Sequence, residues 1–177
     1  KFGFDLTRDP WVQAADIIHV HWINQGFLSR SALHKLGSLG KPFFWTMHDM
    51  WASTWGCHHT WGCERYSSGC GQCPMLRNPA PRDESARQFQ WKENVFQQLS
   101  PQFIASSHWM AACARQSAII QPHSLKVIPI PVHEKRFRPT STLSAREQHA
   151  LPTDIPLLLF GTGSLQDRYK GFPHLLE

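Results

Sequence analysis

Four cysteines follow one another as Cys57-x5-Cys63-x6-Cys70-x2-Cys73, inside the run G-C-H-H-T-W-G-C-E-R-Y-S-S-G-C-G-Q-C-P. Four thiolates suit a tetrahedral zinc ion, and a C-x2-C step lets two sulfurs reach one ion from a tight turn. The same cluster is compatible with reduced, unliganded thiols and with disulfides. His58 and His59 stand among them as substitute ligands. Four cysteines close a coordination sphere, so any zinc here is read as structural, and no catalytic metal is expected. Cys113 lies apart and is expected in the core. His48-Asp49 is the second constellation. A His at the end of a strand can hydrogen-bond a substrate, and an adjacent Asp can support it; the plainer alternative is a loop turn with a solvated carboxylate. His19 and His21 flank Val20 and share one strand face, which reads as a structural pair because a metal site would need a third ligand. The third constellation is Gly161-Thr162-Gly163, followed by Arg168 and Lys170-Gly171. Glycines let backbone N–H groups approach an anion, and nearby cations add charge. Surface cations without a ligand are the alternative. Eight Trp in 177 residues fit sugar stacking as well as an ordinary core.

Those side chains need elements to hold them. Ala15 to Trp22, Pro42 to Met47, Gln102 to Ala105, Leu125 to Ile130 and Leu157 to Phe160 are short apolar runs of strand character. Between them, Ser29 to Leu39 carries the apolar stripe Leu28, Ala32, Leu33, Leu36 of a helix, ended by Gly37 and Gly40. Asp83 is placed to cap a helix through Leu99 with Phe89, Phe96 and Leu99 on one face. Ser106 or Ser107 caps another that carries Trp109, Met110 and Cys113, and a last helix starts after Gly171. Residues 48–82 form a Gly/Cys/Trp-rich loop, a length that marks function or stapling. Residues 139–152 are polar and read as a linker. Strand–helix alternation predicts an α/β fold: a Rossmann-like parallel sheet with helices on both faces. Ligands bind such sheets beyond the carboxyl ends of the strands, which selects His48-Asp49, Ser106-Ser107, Pro131 to Glu134 and Gly161 to Lys170.

Composition bounds the function. Hydrophobic residues are 41% and charged residues 18%, as in a globular chain, and 18 Lys and Arg against 13 Asp and Glu give +5. The basic residues are dispersed, with no run of the kind that marks a nucleic-acid arm. Ile155 to Phe160 is the longest strongly apolar stretch, far short of the roughly 18 residues a membrane helix needs. Five Cys without a secretory signal point to a reducing compartment. The sequence begins at Lys1 and stops inside the apolar pattern Leu175-Leu176-Glu177, so it is expected to be a piece of a longer protein.

Five blocks then fall in one order: A-D-I-I-H-V-H-W-I-N-Q-G-F-L at 15–28, W-T-M-H-D-M-W-x3-W-G-C with the cysteine loop ending C-G-Q-C-P, F-I-A-S-S-H-W-M-A-A-C-A at 103–114, V-I-P-I-P-V-H-E-K-R-F-R-P at 127–139, and L-L-L-F-G-T-G-S…K-G at 157–171. Together they resemble bacterial glycosyltransferases of family 4, in particular the branch that builds exopolysaccharides of the colanic acid type. The resemblance implies a GT-B architecture of two Rossmann-like domains around a cleft. Residues 1–152 would be most of the acceptor-side domain, and 153–177 the start of the donor-binding domain. It implies transfer of a sugar, with retention, from a nucleotide-diphosphate sugar of UDP or GDP type to a saccharide or lipid-linked saccharide. The setting would be the cytoplasm, at the face of the inner membrane, with no nucleic-acid partner. His48 matches the family's His that contacts the donor sugar, and Asp49 is its neighbour in the motif. Gly161, Thr162 and Gly163 match the first donor-domain turn, and Lys170 the Lys that holds the diphosphate. Thr162 stands where the family usually has Arg, leaving Arg168 to compensate. I-P-I-P-V-H replaces the family's I-P-N-G-[IV]-D loop, and its E-x7-E element would lie beyond Glu177. The piece alone is therefore not expected to catalyse. The alternative reading is a zinc-organised module that binds nucleic acid or carbohydrate without catalysis.

Overall fold

A computed structural model of the chain describes residues 3–177. It divides into a unit that runs to Pro131 and a second from Val132 to Glu177.

The first unit is an α/β layer structure. Four parallel strands, β1 (Ile18–Val20), β2 (Phe43–Met47), β3 (Gln102–Ala105) and β4 (Leu125–Val127), lie in the order β1-β2-β3-β4. The register pairs Val20 with Trp45, Met47 with Ala105, and Ala105 with Val127. Each crossover is helical, as parallel strands require. The helix α2 (Arg30–Gly37) starts where Ser29 Oγ accepts from Ala32 N at 3.1 Å, and it buries Ala32, Leu33 and Leu36. The longest helix, α3 (Glu84–Leu99), starts on Asp83, whose carboxylate accepts from Ser85 N and Ala86 N. It ends where Ser100 turns left-handed at φ 45°. The next helix, α4 (His108–Arg115), takes Ser107 of the two candidate serines as its cap, accepting from Met110 N at 3.1 Å. Met110 is buried while Trp109 is exposed and Cys113 half-buried. A short helix that the sequence did not announce, Pro10–Ala14, opens on the Asp9 side chain with Pro at its first position; it is numbered α1. The core is aromatic: Trp45, Phe96 and Phe103 meet edge-on or tilted, with Phe96 centred 5.3 Å from each of the other two.

The 48–82 loop is held by hydrogen bonds. Gly71 N donates to Ser85 Oγ at 2.9 Å, Cys73 N to Asp83 Oδ2 at 2.8 Å, and Gln72 N to Ala80 O at 2.8 Å. The Asp83 carboxylate thus caps α3 and ties down the C-x2-C turn together. Gly71 sits at φ +92° with Pro81 O only 2.6 Å from where a Cβ would stand, so a side chain is excluded there on two counts.

The second unit departs from the sequence reading. Leu157 to Phe160 is not a strand, and Leu159 is 97% exposed. An apolar run becomes a strand only when a neighbour completes its ladder, and among the described residues no segment pairs with this one. The 139–152 stretch, expected as a linker, contains the helix α5 (Thr142–Gln148), capped by Ser141. Arg146 fastens its end by donating to Pro152 O and Ile155 O at 2.8 Å each. A 3₁₀ turn at Arg168–Lys170 leads into the single turn α6 (Phe172–Leu175), and Phe172 meets Phe160 at 5.4 Å. No helix among the described residues is long and apolar enough to cross a membrane.

Candidate active site

The carboxyl ends of β1 and β2 bring three histidines and a carboxylate together. Side chains at alternate positions share a strand face, so His19 and His21 of the β1 segment look toward Thr46 and His48 of the β2 segment. His19 Nε2 bonds Thr46 Oγ1 at 2.8 Å, and His21 Nδ1 meets His48 Nε2 at 2.9 Å with the rings stacked at 5.2 Å. With both imidazoles neutral, one N–H donates into the other's lone pair. Protonation of both rings would set two N–H donors face to face. Consistently, burial lowers the His21 value below 6.5, and the charges of His19 and His48 lower it further. His21 is therefore held in its neutral form near pH 7.

Asp49 is fixed on both oxygens. Its Oδ1 accepts from Trp51 N at 2.8 Å, and its Oδ2 accepts from His58 Nδ1 at 2.6 Å. His58 O in turn accepts from Met50 N at 3.0 Å. The turn after β2 is thereby folded back on the cysteine loop, and Asp49 is partly covered and hydrogen-bonded on both oxygens, not a solvated turn residue. A recess of about 10 Å³, lined by His21, Asn24, His48, Asp49 and Trp51 among others, opens beside these groups. It has room for about one water-sized group.

Lys92 supports this turn from beneath. Its side chain lies fully buried on α3, and Nζ donates to Trp51 O and, at 2.6 Å, to Thr54 O while lying 3.6 Å from the Trp51 ring centre. Burial pushes the amine down to about 7, against the raising influence of Cys70, Cys57 and Asp49. Ser117 Oγ adds a bond to Ser53 O at 2.6 Å. Three successive-turn carbonyls are thus satisfied from inside the core, which fixes where His48 and Asp49 emerge.

All five cysteines are free thiols, and among the described residues no group of three or more His, Cys, Asp or Glu is placed to hold a metal ion. Burial raises the Cys57 thiol, with Cys73 and Cys63 adding to it, and burial raises Cys70 to about 11. Trp55 bears on both Cys57 and Cys70, lowering each thiol against that rise, and Asp83 and Ser85 fix the C-x2-C turn.

Gly161, Thr162, Gly163, Arg168 and Lys170 lie on one stretch of the second unit. Thr162 Oγ1 accepts from Ser164 N at 3.3 Å, and Asp167 Oδ1 accepts from Tyr169 N at 3.0 Å, which shapes the Arg168–Lys170 turn. Gly161 and Gly163 have open space where a side chain would be. Ser107 is used up as a helix cap, and Pro131 closes the first unit.

Sequence reasoning missed His21 as the partner of His48, His58 as the partner of Asp49, and Lys92. The first was within reach, because period two in β1 places His21 on the His19 face at the strand's carboxyl end. Lys92 also left a trace: it falls on the apolar stripe of Phe89, Phe96 and Leu99, where a cation has no solvent.

Residues 7–136 match the family described as Glycosyltransferase Family 4. A protein of Escherichia coli (strain K12) named as a colanic acid biosynthesis glycosyl transferase, WcaC, is 32% identical over 114 residues, which cover 59% of this chain. The match spans 27% of that relative's length. No solved structure matches. With a family match across most of the sheet unit, His48-Asp49 included, the chain belongs to Glycosyltransferase Family 4.

Proposed function

We propose that the protein transfers a sugar, with retention, from a nucleotide-diphosphate sugar of UDP or GDP type to a saccharide or lipid-linked saccharide in the building of a surface polysaccharide. It would work in the cytoplasm, at the face of the inner membrane. The observation that carries this reading is the hydrogen-bonded His21–His48 pair beside the clamped Asp49 at the carboxyl ends of β1 and β2. An uncharged imidazole both donates and accepts, as a sugar hydroxyl does, and it leaves the anionic donor free to be neutralised elsewhere. His48 holds a hydroxyl of the donor sugar. Asp49 keeps the turn in place. As the glycosidic bond breaks, negative charge gathers on the leaving diphosphate, and Lys170 and Arg168 are its counter-charges. Water has to be excluded for transfer to outrun hydrolysis, which closure of a second domain supplies.

Nucleotide release by the full-length protein, screened over UDP- and GDP-sugars, tests the reading. His48→Ala and Lys170→Ala should each lower kcat/KM by about tenfold or more, the loss expected when a group that stabilises the reacting sugar or its leaving group is removed. Unchanged kinetics in both variants would remove the assignment.

A further inference from the structure

A groove of about 430 Å³ lies between the turn after β1, the segment after β2 and one face of α3. Small-molecule sites run from roughly 300 to 1,000 Å³. Three indoles line it, those of Trp51, Trp55 and Trp91. Trp51 is committed to the core, stacked on Trp45 at 5.8 Å and holding the Lys92 amine. Trp55 and Trp91 are half-buried and form the apolar wall.

Besides Ser29, whose hydroxyl is occupied as the α2 cap, the polar side chains of the lining are planar: Asn24, Arg30, Glu84 and Gln88. Arg30 lies over the Trp91 ring at 5.1 Å and 3.9 Å from Glu84, each side chain 43% exposed. An ion pair that long and that wet is weak, so Arg30 is free to turn toward a ligand, while Arg87 and Gln88 hold the Glu84 carboxylate in place. A sugar ring has this same division, a C–H face that lies on an indole and a rim of neighbouring hydroxyls that carboxylate, amide and guanidinium groups bond two at a time. A nucleotide would also stack, but its phosphates would meet the like charge of the Glu84 carboxylate in the same lining. The groove is also continuous with the His48 recess, since Ile23, Asn24 and Trp51 line both.

We propose that this groove holds a sugar ring of the acceptor saccharide, with Trp55 and Trp91 on its apolar face and Asn24, Arg30 and Glu84 on its hydroxyls. The word acceptor rests on the transferase reading above; the saccharide site itself does not. A chain of sugars seated here presents its next residue to the His21–His48 pair.

Saturation-transfer NMR on the full-length protein, with the methyl glycosides of glucose, galactose and mannose as probes, reads the site directly. At least one glycoside should give a signal that Trp91→Ala and Asn24→Ala each cut severalfold, and that UMP and GMP do not displace. Circular dichroism confirms that both variants fold, and Asn24, outside any helix or strand, is the safer of the two. In turnover, either variant should raise the acceptor KM about tenfold and leave the donor KM within about twofold. No signal from any glycoside, a signal indifferent to both variants, or displacement by a nucleotide overturns the proposal. Glycoside binding without any nucleotide-sugar turnover keeps the groove and removes the transferase reading. Turnover with acceptor KM unchanged in both variants removes the groove alone.

Discussion

His21 and His48 share a hydrogen bond that needs one of the two facing nitrogens to keep its lone pair. The titratable groups around it are His19 on the same strand, Asp49 beside His48, and His58 on the cysteine loop. Since burial and its neighbours lower the His21 value from 6.5, the folded state binds that proton less tightly than the unfolded chain. The pair's contribution is therefore present above 6.5 and is lost as pH falls below it. Activity should be level through neutral pH and decline on the acid side. His21→Asn, which keeps a hydrogen-bonding group but cannot take up the proton, should flatten that acid limb while lowering kcat severalfold. A pH–rate profile of the two proteins decides it, and an unaltered limb would show that His21 does not position His48. The strand-end rule pointed to His48 and Asp49, which the structure sets just after β2 beside His21 and His58; the stretch from Gly161 to Lys170, picked by glycine and cation spacing, lies in the second unit. The C-x2-C spacing announced a tight turn, and Asp83 and Ser85 at the start of α3 hold that turn by hydrogen bonds, which no spacing rule foretells.

Among the elements, α3 carries the most. Its first turn is anchored by Asp83, which also holds Cys73 N. Burial opposes the charge on Asp83, yet bonds from Ser85, Cys73, Ala80 and Ala86 hold its carboxyl well below the usual carboxylate range. Its middle carries Lys92. Because burial brings that amine down to about 7 from 10.5, the unfolded chain binds more protons between those values. Stability should accordingly rise with pH from about 7 to about 10.5. In Lys92→Met this slope should vanish, as read from urea midpoints across that range. The variant relieves a buried charge but leaves Trp51 O and Thr54 O without their donor, at about 1–3 kcal/mol for a buried orphan group. At pH 10 it should therefore be the less stable protein. A slope that persists would place the titration elsewhere. The elements themselves were largely readable. Both β-branched and aromatic strands, the Asp83 cap and the Ser107 cap stood at the expected places, because caps and period are local signals. Leu157 to Phe160 was not, because whether an apolar run becomes a strand depends on a neighbour that local sequence does not contain.

For the whole molecule, the four-strand layer is organised around one amine: Lys92 joins the helix that covers the sheet to the turn that carries His48 and Asp49. That placement has a practical consequence. An amine brought down to about 7 is substantially unprotonated, and hence nucleophilic, at the pH of the cell, where ordinary surface lysines are not. It is also sealed from solvent, so an acylating reagent meets it only when α3 parts from the β2 turn. Labelling with acetic anhydride, followed by peptide mass mapping, should leave Lys92 unmodified in native buffer while Lys126 and Lys135 react. Modification should then follow the urea midpoint, and a ligand seated at the carboxyl ends of the strands should slow it. The chain thus carries its own chemical clock for the opening of its site, readable without any added probe.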